Sequence, residues 1–206
     1  MKSLSFILFI ALQAGILAAQ DTNAWHKDGK AAADTASMKS KNGFGAQLLL
    51  TDNEQFFEDW NKEGTPTLKE LKKAVRDVPI LPVVLIVDPG KDDNGEAKVI
   101  YDIIVRKPDG TVYAEAKDMV GWREKYDFPA HNIQLTEEHM GIRIEPKDPS
   151  GVYTVEAIVH DKIKKIDLPL KATFEIPKSD KPESKPADKA PAKEQPESQA
   201  PKGGAR

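Results

Sequence analysis

Apolar residues recur with a period of two along several stretches of this chain, and that repeat restricts the fold more than any other feature of the sequence. Val99, Tyr101, Ile103 and Val105 alternate with Lys98, Asp102 and Arg106. Tyr153, Val155, Ala157 and Val159 occupy one parity, while Glu156 and His160 occupy the other. Leu168, Leu170, Ala172, Phe174 and Ile176 alternate with Pro169, Lys171, Thr173 and Glu175. Successive side chains of a strand point to opposite faces, so each run reads as a strand with one buried face. Ile80–Val87 is an almost continuous apolar run, and Ala46–Leu50, Ile133 with Leu135, and Ile142 with Ile144 add shorter segments. Pro108-Asp109-Gly110 is a turn signal that sends residues 111–117 back beside the preceding strand. About seven short strands separated by turns predict an all-β protein, an antiparallel β-sandwich with polar outer faces. Pro169 belongs at an edge or a strand start, because it has no N–H to donate to a ladder.

One short helical element interrupts this pattern. Thr51-Asp52-Asn53-Glu54 has capping-box spacing, and Phe56, Phe57 and Trp60 follow on one side of a helix that Gly64 and Pro66 terminate. Aromatic residues so placed suit a plug over one end of a core, with ligand stacking as the alternative. Leu68, Leu71 and Val75 permit either another helical turn or an extended connection that stops at Asp77-Val78-Pro79.

The ends differ in kind from this core. Lys2, an apolar run from Leu4 to Leu17, and then Ala18 and Ala19 have the layout of a secretory signal peptide over 1–20, and the run is short for a membrane span. Residues 21–42 are polar and alanine-rich, with Trp25 and Met38 as the large apolar groups, and are expected to be a flexible leader. Residues 178–206 carry prolines at 182, 186, 191, 196 and 201 among Lys, Glu, Ala and Ser, with no large apolar group to offset the entropy of ordering. They are expected to form a disordered tail. The β-sandwich domain is thus placed at 43–177. Signal cleavage would leave a periplasmic or secreted bacterial protein without a membrane span, and the absence of Asn-x-Ser/Thr acceptors fits a bacterial source.

Asp148-Pro149-Ser150-Gly151-Val152-Tyr153, ahead of an alternating strand, resembles the turn into strand F of immunoglobulin-like sandwiches, where a tyrosine corner sits. Together with Pro108-Asp109-Gly110-Thr111-Val112-Tyr113, Trp122 and Gly151-Val152-Tyr153-Thr154-Val155, the core also resembles a group of uncharacterised exported bacterial proteins with such a domain. The position two after Tyr153 is Val155 rather than cysteine, and Asp148 lies one residue further from the tyrosine than in immunoglobulins. The resemblance implies an immunoglobulin-like fold class and transfers no catalytic residue.

Chemistry-bearing residues are plentiful but scattered. With no cysteine in the chain, disulfide-linked oligomers, thiol nucleophiles and cysteine metal sites are excluded. Lys and Arg number 30 against 33 Asp and Glu, so no long-range field draws the protein to nucleic acid. His26, His131, His139 and His160 form no pair at metal spacing, and Glu137-Glu138-His139 would point to alternate faces of an extended chain. Asp88–Glu96 is the most acidic loop and a candidate for calcium, but Lys91 intrudes and the EF-hand register fails, which favours a solvated hairpin loop. No catalytic, cofactor-binding or metal residue is assigned. The aromatic-rich span Val120–His131 is the best candidate surface, with Trp122, Arg123, Tyr126 and Phe128 as partner-binding residues, or with Trp122 as a cap on the core. The expected function is a non-catalytic binding or structural module of the bacterial envelope, its partner an envelope protein or polymer. The competing expectation is a secreted or periplasmic enzyme, carbohydrate-acting or hydrolytic, whose carboxylates assemble only in the fold.

Overall fold

A computed structural model describes residues 23–64 and 66–178. The signal peptide expected over 1–20, and the tail expected over 178–206 apart from Lys178, lie outside the described residues.

The chain enters through two short strands, β1 (His26–Lys27) and β2 (Lys30–Ala31), paired antiparallel, and β3 (Met38–Lys41) then pairs with β4 (Phe44–Thr51). Both connections are two-residue turns, Asp28-Gly29 at φ 53° and 72° and Asn42-Gly43 at φ 49° and 73°. Positive φ at both turn residues is what a tight hairpin demands, and Asp-Gly and Asn-Gly supply it at low cost. The flexible leader expected over 21–42 is therefore corrected for residues 23–42. Trp25 is only 6% exposed. Its indole N–H donates to the Lys39 carbonyl at 2.9 Å. Gly45 lets it in, since a Cβ there would lie 2.7 Å from the indole nitrogen and 2.8 Å from the Ala24 Cβ.

After β4 comes a five-residue helix, α1 (Gln55–Asp59). The expected Thr51–Glu54 capping box does not form. Thr51 Oγ1 accepts from the Asn53 N–H, Asn53 Oδ1 accepts from the Gln55 N–H, and Glu54 is itself the N-cap without a side-chain bond. Consecutive local turns satisfy the same donors one step at a time. The segment around Leu71 is extended rather than helical. Its N–H donates to Leu50 O at 2.8 Å, and Ala74 N–H donates to Glu175 O at 2.9 Å, so this strap ties the two sheets together.

The remaining strands are β5 (Leu81–Val87), β6 (Val99–Arg106), β7 (Val112–Trp122), β8 (Ile133–Leu135), β9 (Gly151–Asp161) and β10 (Ile166–Ile176). Among the described residues the ten strands form the small β1-β2 ribbon and two four-stranded antiparallel sheets, ordered β3-β4-β5-β8 and β10-β9-β6-β7. The excess over the expected seven is β1 to β3, while the segment expected at Ile142 and Ile144 forms an isolated bridge to Ile80 rather than a strand. The inner faces of both sheets feed one core, in which Leu48, Leu50 and Ile86 meet Tyr101, Ile103, Tyr153, Val155 and Phe174. Each such side chain contributes about 1.5–3 kcal/mol through burial. Tyr153 and Phe174 stack at 5.2 Å, and the Tyr153 hydroxyl donates to the Pro149 carbonyl at 2.9 Å. Pro169 lies on the outer edge of β10, the end strand of its sheet. Lys171 turns its N–H away from β9 to Ala36 O, and Pro169, two residues earlier, presents its missing donor to the same side.

A second cluster covers the outer face of β4 and β5. Val83, Leu85 and Val87 pack there against Ala24, Trp25 and Phe56. All seven residues of β5 are consequently buried, which is the physical reason for the unbroken apolar run.

Candidate functional site

The groove of interest lies where α1, β7 and β8 approach one another. Phe56 turns into the second cluster and is 2% exposed, so it is the plug. Phe57 and Trp60 are half-buried and face outward over Gln134 and Leu135. Trp122 and Phe128 form the opposite wall, with ring centroids 5.6 Å apart in edge-to-face geometry. Tyr126 supports both, at 5.5 Å from Trp122 and 5.1 Å from Phe128. Around these rings the groove has a volume of about 510 Å³, and a neighbouring recess of about 550 Å³ shares Trp60 and Gln134 with it and is lined further by Pro66, Leu68 and Ile133. Both sizes fall in the range of small-ligand sites, about 300–1,000 Å³.

The backbone beneath the groove crosses from one sheet to the other. Thr136 donates its N–H to Val84 O of β5 at 3.1 Å, and Glu137 and Glu138 then donate theirs to Gly121 O and Val120 O of β7 at 3.2 and 3.0 Å. The side chains repeat the tie. Glu137 Oε1 accepts from the Arg123 N–H at 3.0 Å, and Glu138 Oε2 accepts from the Val120 N–H at 2.7 Å. Glu137-Glu138-His139 thus anchors the end of β7, with His139 stacked on Phe57 at 4.2 Å and 19°. Gln134, 9% exposed, lines the groove and donates its amide N–H to Asn132 Oδ1, while no hydrogen bond among the described residues engages its carbonyl oxygen.

The four expected partner-binding residues separate into different roles. Trp122 and Phe128 line the groove, and Trp122 also packs against the main core, so the cap and the wall are one residue. Tyr126 is 1% exposed, donates its hydroxyl to Asn132 O at 3.1 Å and lies under the Lys91 ammonium at 5.4 Å. Burial, with the Asp88 carboxylate adding to it, raises its phenol pKa. Arg123 lies apart, in a recess of about 210 Å³ with Asp92, Glu96 and Lys98. Phe57 and Trp60, expected as part of a core plug with ligand stacking as the alternative, line the groove, and Asn61, Gln134 and His139 join them without any signal in the sequence pattern. The near-helical aromatic spacing around Phe57 and Trp60 was the available signal.

Elsewhere the chemistry is structural. His160, on the outer face of its sheet as its parity predicts, holds Asp167 at 2.7 Å, and this bond leads the causes that lower the Asp167 carboxyl pKa. His131 reaches Asp88 at 3.1 Å and meets the His26 ring at 4.8 Å, a pairing across the chain that sequence spacing hides. In the acidic loop, Asp92 Oδ1 accepts from the Asn94 and Glu96 N–H groups at 2.9 and 3.0 Å, and the Glu96 bond is the main cause of its lowered pKa. Among the described residues no three His, Asp or Glu side chains are grouped as a metal site. No helix there is long and apolar enough to cross a membrane.

No family model matches the chain, and no curated protein does. Among solved structures, the chain is similar to a family 123 glycoside hydrolase from Clostridium perfringens, described in work on glycolipid glycan hydrolysis, at 10% identity and a TM-score of 0.39. The match covers 65% of this chain and 27% of that one, so this chain spans about a quarter of the hydrolase. A likeness this distant assigns neither a family nor an activity.

Proposed function

We propose that this chain is an exported, non-catalytic binding module of the bacterial envelope, built on an immunoglobulin-like sandwich and offering the groove between α1 and Trp122 to its partner. Two features support the sandwich type. The order β10-β9-β6-β7 follows the G-F-C-C′ sheet of immunoglobulin variable-type domains, and the Tyr153 bond to Pro149 O is the tie of a tyrosine corner at the entry to strand F. Export rests on the N-terminal sequence, where Lys2, the run to Leu17 and the small residues after it match a signal peptide. The observation that carries the binding reading is the groove itself, with half-buried Trp60 and Trp122 and exposed Phe128 on a floor bonded to both sheets. Aromatic side chains on a rigid frame are the usual anchors of recognition. The competing enzyme reading needs two carboxylates converging on one substrate atom. Glu137 is the carboxylate lining this groove, and one of its oxygens already holds the Arg123 N–H.

A photo-crosslinker placed at Phe128 in living cells tests this, with the same group at exposed Val152 on the outer face of the other sheet as control. One discrete adduct at Phe128 and none at Val152 is expected. Equal labelling at both positions, or none at either, refutes the assignment. Phe128→Ala should cost about 1–2 kcal/mol through its two ring contacts, whereas Tyr126→Ala should cost about 3–5 kcal/mol, measured by urea denaturation.

A further inference from the structure

The polar groups left unengaged in the groove name the class of ligand it suits. We infer that the groove binds a neutral, hydroxyl-rich glycan chain, an inference that rests on the binding reading above. Among the described residues, no hydrogen bond engages the Trp60 indole N–H, the Asn61 side-chain amide, the Gln134 carbonyl oxygen or the second carboxylate oxygen of Glu137, and all four residues line the groove. The set holds donors and acceptors together, interleaved with the rings of Trp60, Trp122 and Phe128. A sugar hydroxyl both donates and accepts, so one hydroxyl-bearing ring can satisfy neighbours of either kind. The C–H face of a pyranose ring presents positive edges that suit the negative face of an aromatic ring. A purely apolar partner would cover the Gln134 oxygen without giving it a donor, which leaves a desolvated acceptor unpaired. A polyanion is disfavoured because Glu137 is the one charged carboxylate on the lining and no Lys or Arg joins it. The second recess shares Trp60 and Gln134 with the groove, so a chain longer than one unit has a further surface beside it.

The test uses the full-length chain, with tryptophan fluorescence and calorimetric titration against a panel of neutral oligosaccharides: cellohexaose, chitohexaose, maltohexaose, xylohexaose and mannohexaose. A synthetic peptide of residues 181–202, rich in proline, serves as the macromolecular alternative. At least one oligosaccharide should bind saturably at submillimolar concentration, with affinity falling at least about tenfold in Trp60→Ala and in Phe128→Ala. Circular dichroism is required to show both variants folded, and Phe128→Ala keeps the test valid if Trp60→Ala unfolds. Absence of binding to the whole panel at millimolar concentration overturns the glycan inference, as does binding that survives in a folded variant. If the panel fails while the Phe128 crosslink yields a discrete protein adduct, the glycan inference falls and the binding-module reading stands. Failure of both removes the two together.

Discussion

Truncating Trp25 to alanine is the perturbation that most directly tests whether residues 23–42 belong to the domain. The indole is 6% exposed and packs with Phe56, Val83, Leu85 and Val87 on the outer face of β5. It also bonds the Lys39 carbonyl at 2.9 Å, linking the first hairpin to β3. Replacing a buried large aromatic side chain by alanine costs about 3–5 kcal/mol. The lower part of that range applies, because a segment near the chain's start relaxes into a gap more easily than a central strand. A loss of about 3–4 kcal/mol lowers the melting temperature of a domain this size by roughly 6–16 °C. Urea denaturation followed by far-ultraviolet circular dichroism avoids reading the deleted chromophore, and amide exchange at Met38–Lys41 should quicken in parallel. A change below about 0.5 kcal/mol, with exchange at β3 unaltered, would refute the reasoning and return residues 23–42 to the status of a leader.

Two further outcomes follow from the polar chemistry. Burial, foremost, holds the Tyr101 phenol neutral and raises its pKa to about 12. A raised folded pKa gives stability that is full below the unfolded tyrosine value near 10 and is lost as pH climbs toward about 12, so denaturation midpoints should fall across that window, and less steeply in Tyr101→Phe. Calcium at millimolar concentration should leave the melting temperature unchanged, since Asp92 Oδ1 already accepts from the Asn94 and Glu96 N–H groups and the loop's carboxylates are not grouped as a metal site; a saturable rise abolished by Asp92→Asn would reverse that conclusion.

The strands were legible wherever one face is buried without interruption. The parity of β9 placed Tyr153, Val155, Ala157 and Val159 inward and His160 outward, and burial follows it. The first three strands leave no periodic trace in the sequence, although their cause is visible in the residues. Asp28-Gly29 and Asn42-Gly43 are hairpin turns, but the strands they join are two to four residues long, too short to show a period. A domain boundary at Gly43 cuts through the second of these hairpins. The capping box misled because Thr51 is buried at the end of β4 and Glu54 starts α1 one turn later than the pattern implies.

The groove resisted prediction for a different reason. The ladder between β6 and β7 contains three register shifts, after Val99, Tyr101 and Val105, and each shift exchanges the faces of every residue beyond it. Counting by twos from the Gly110 turn therefore cannot say which way Trp122 points. Its partners come from α1, β8 and the crossing at residues 136–138, positions joined only by the pairing of two sheets. That crossing also gives the proposed binding groove a rigid floor. A chain that leaves β8, gives up its pairing with β5 and reaches β7 within two residues must satisfy its backbone on both sheets, and it does so at Val84, Gly121 and Val120. The floor is thereby fixed before any ligand arrives, so Gln134 and Glu137 lose little freedom on binding. Tyr126, sealed beneath, fixes the wall, while Phe128 two residues on is left 37% exposed at the rim.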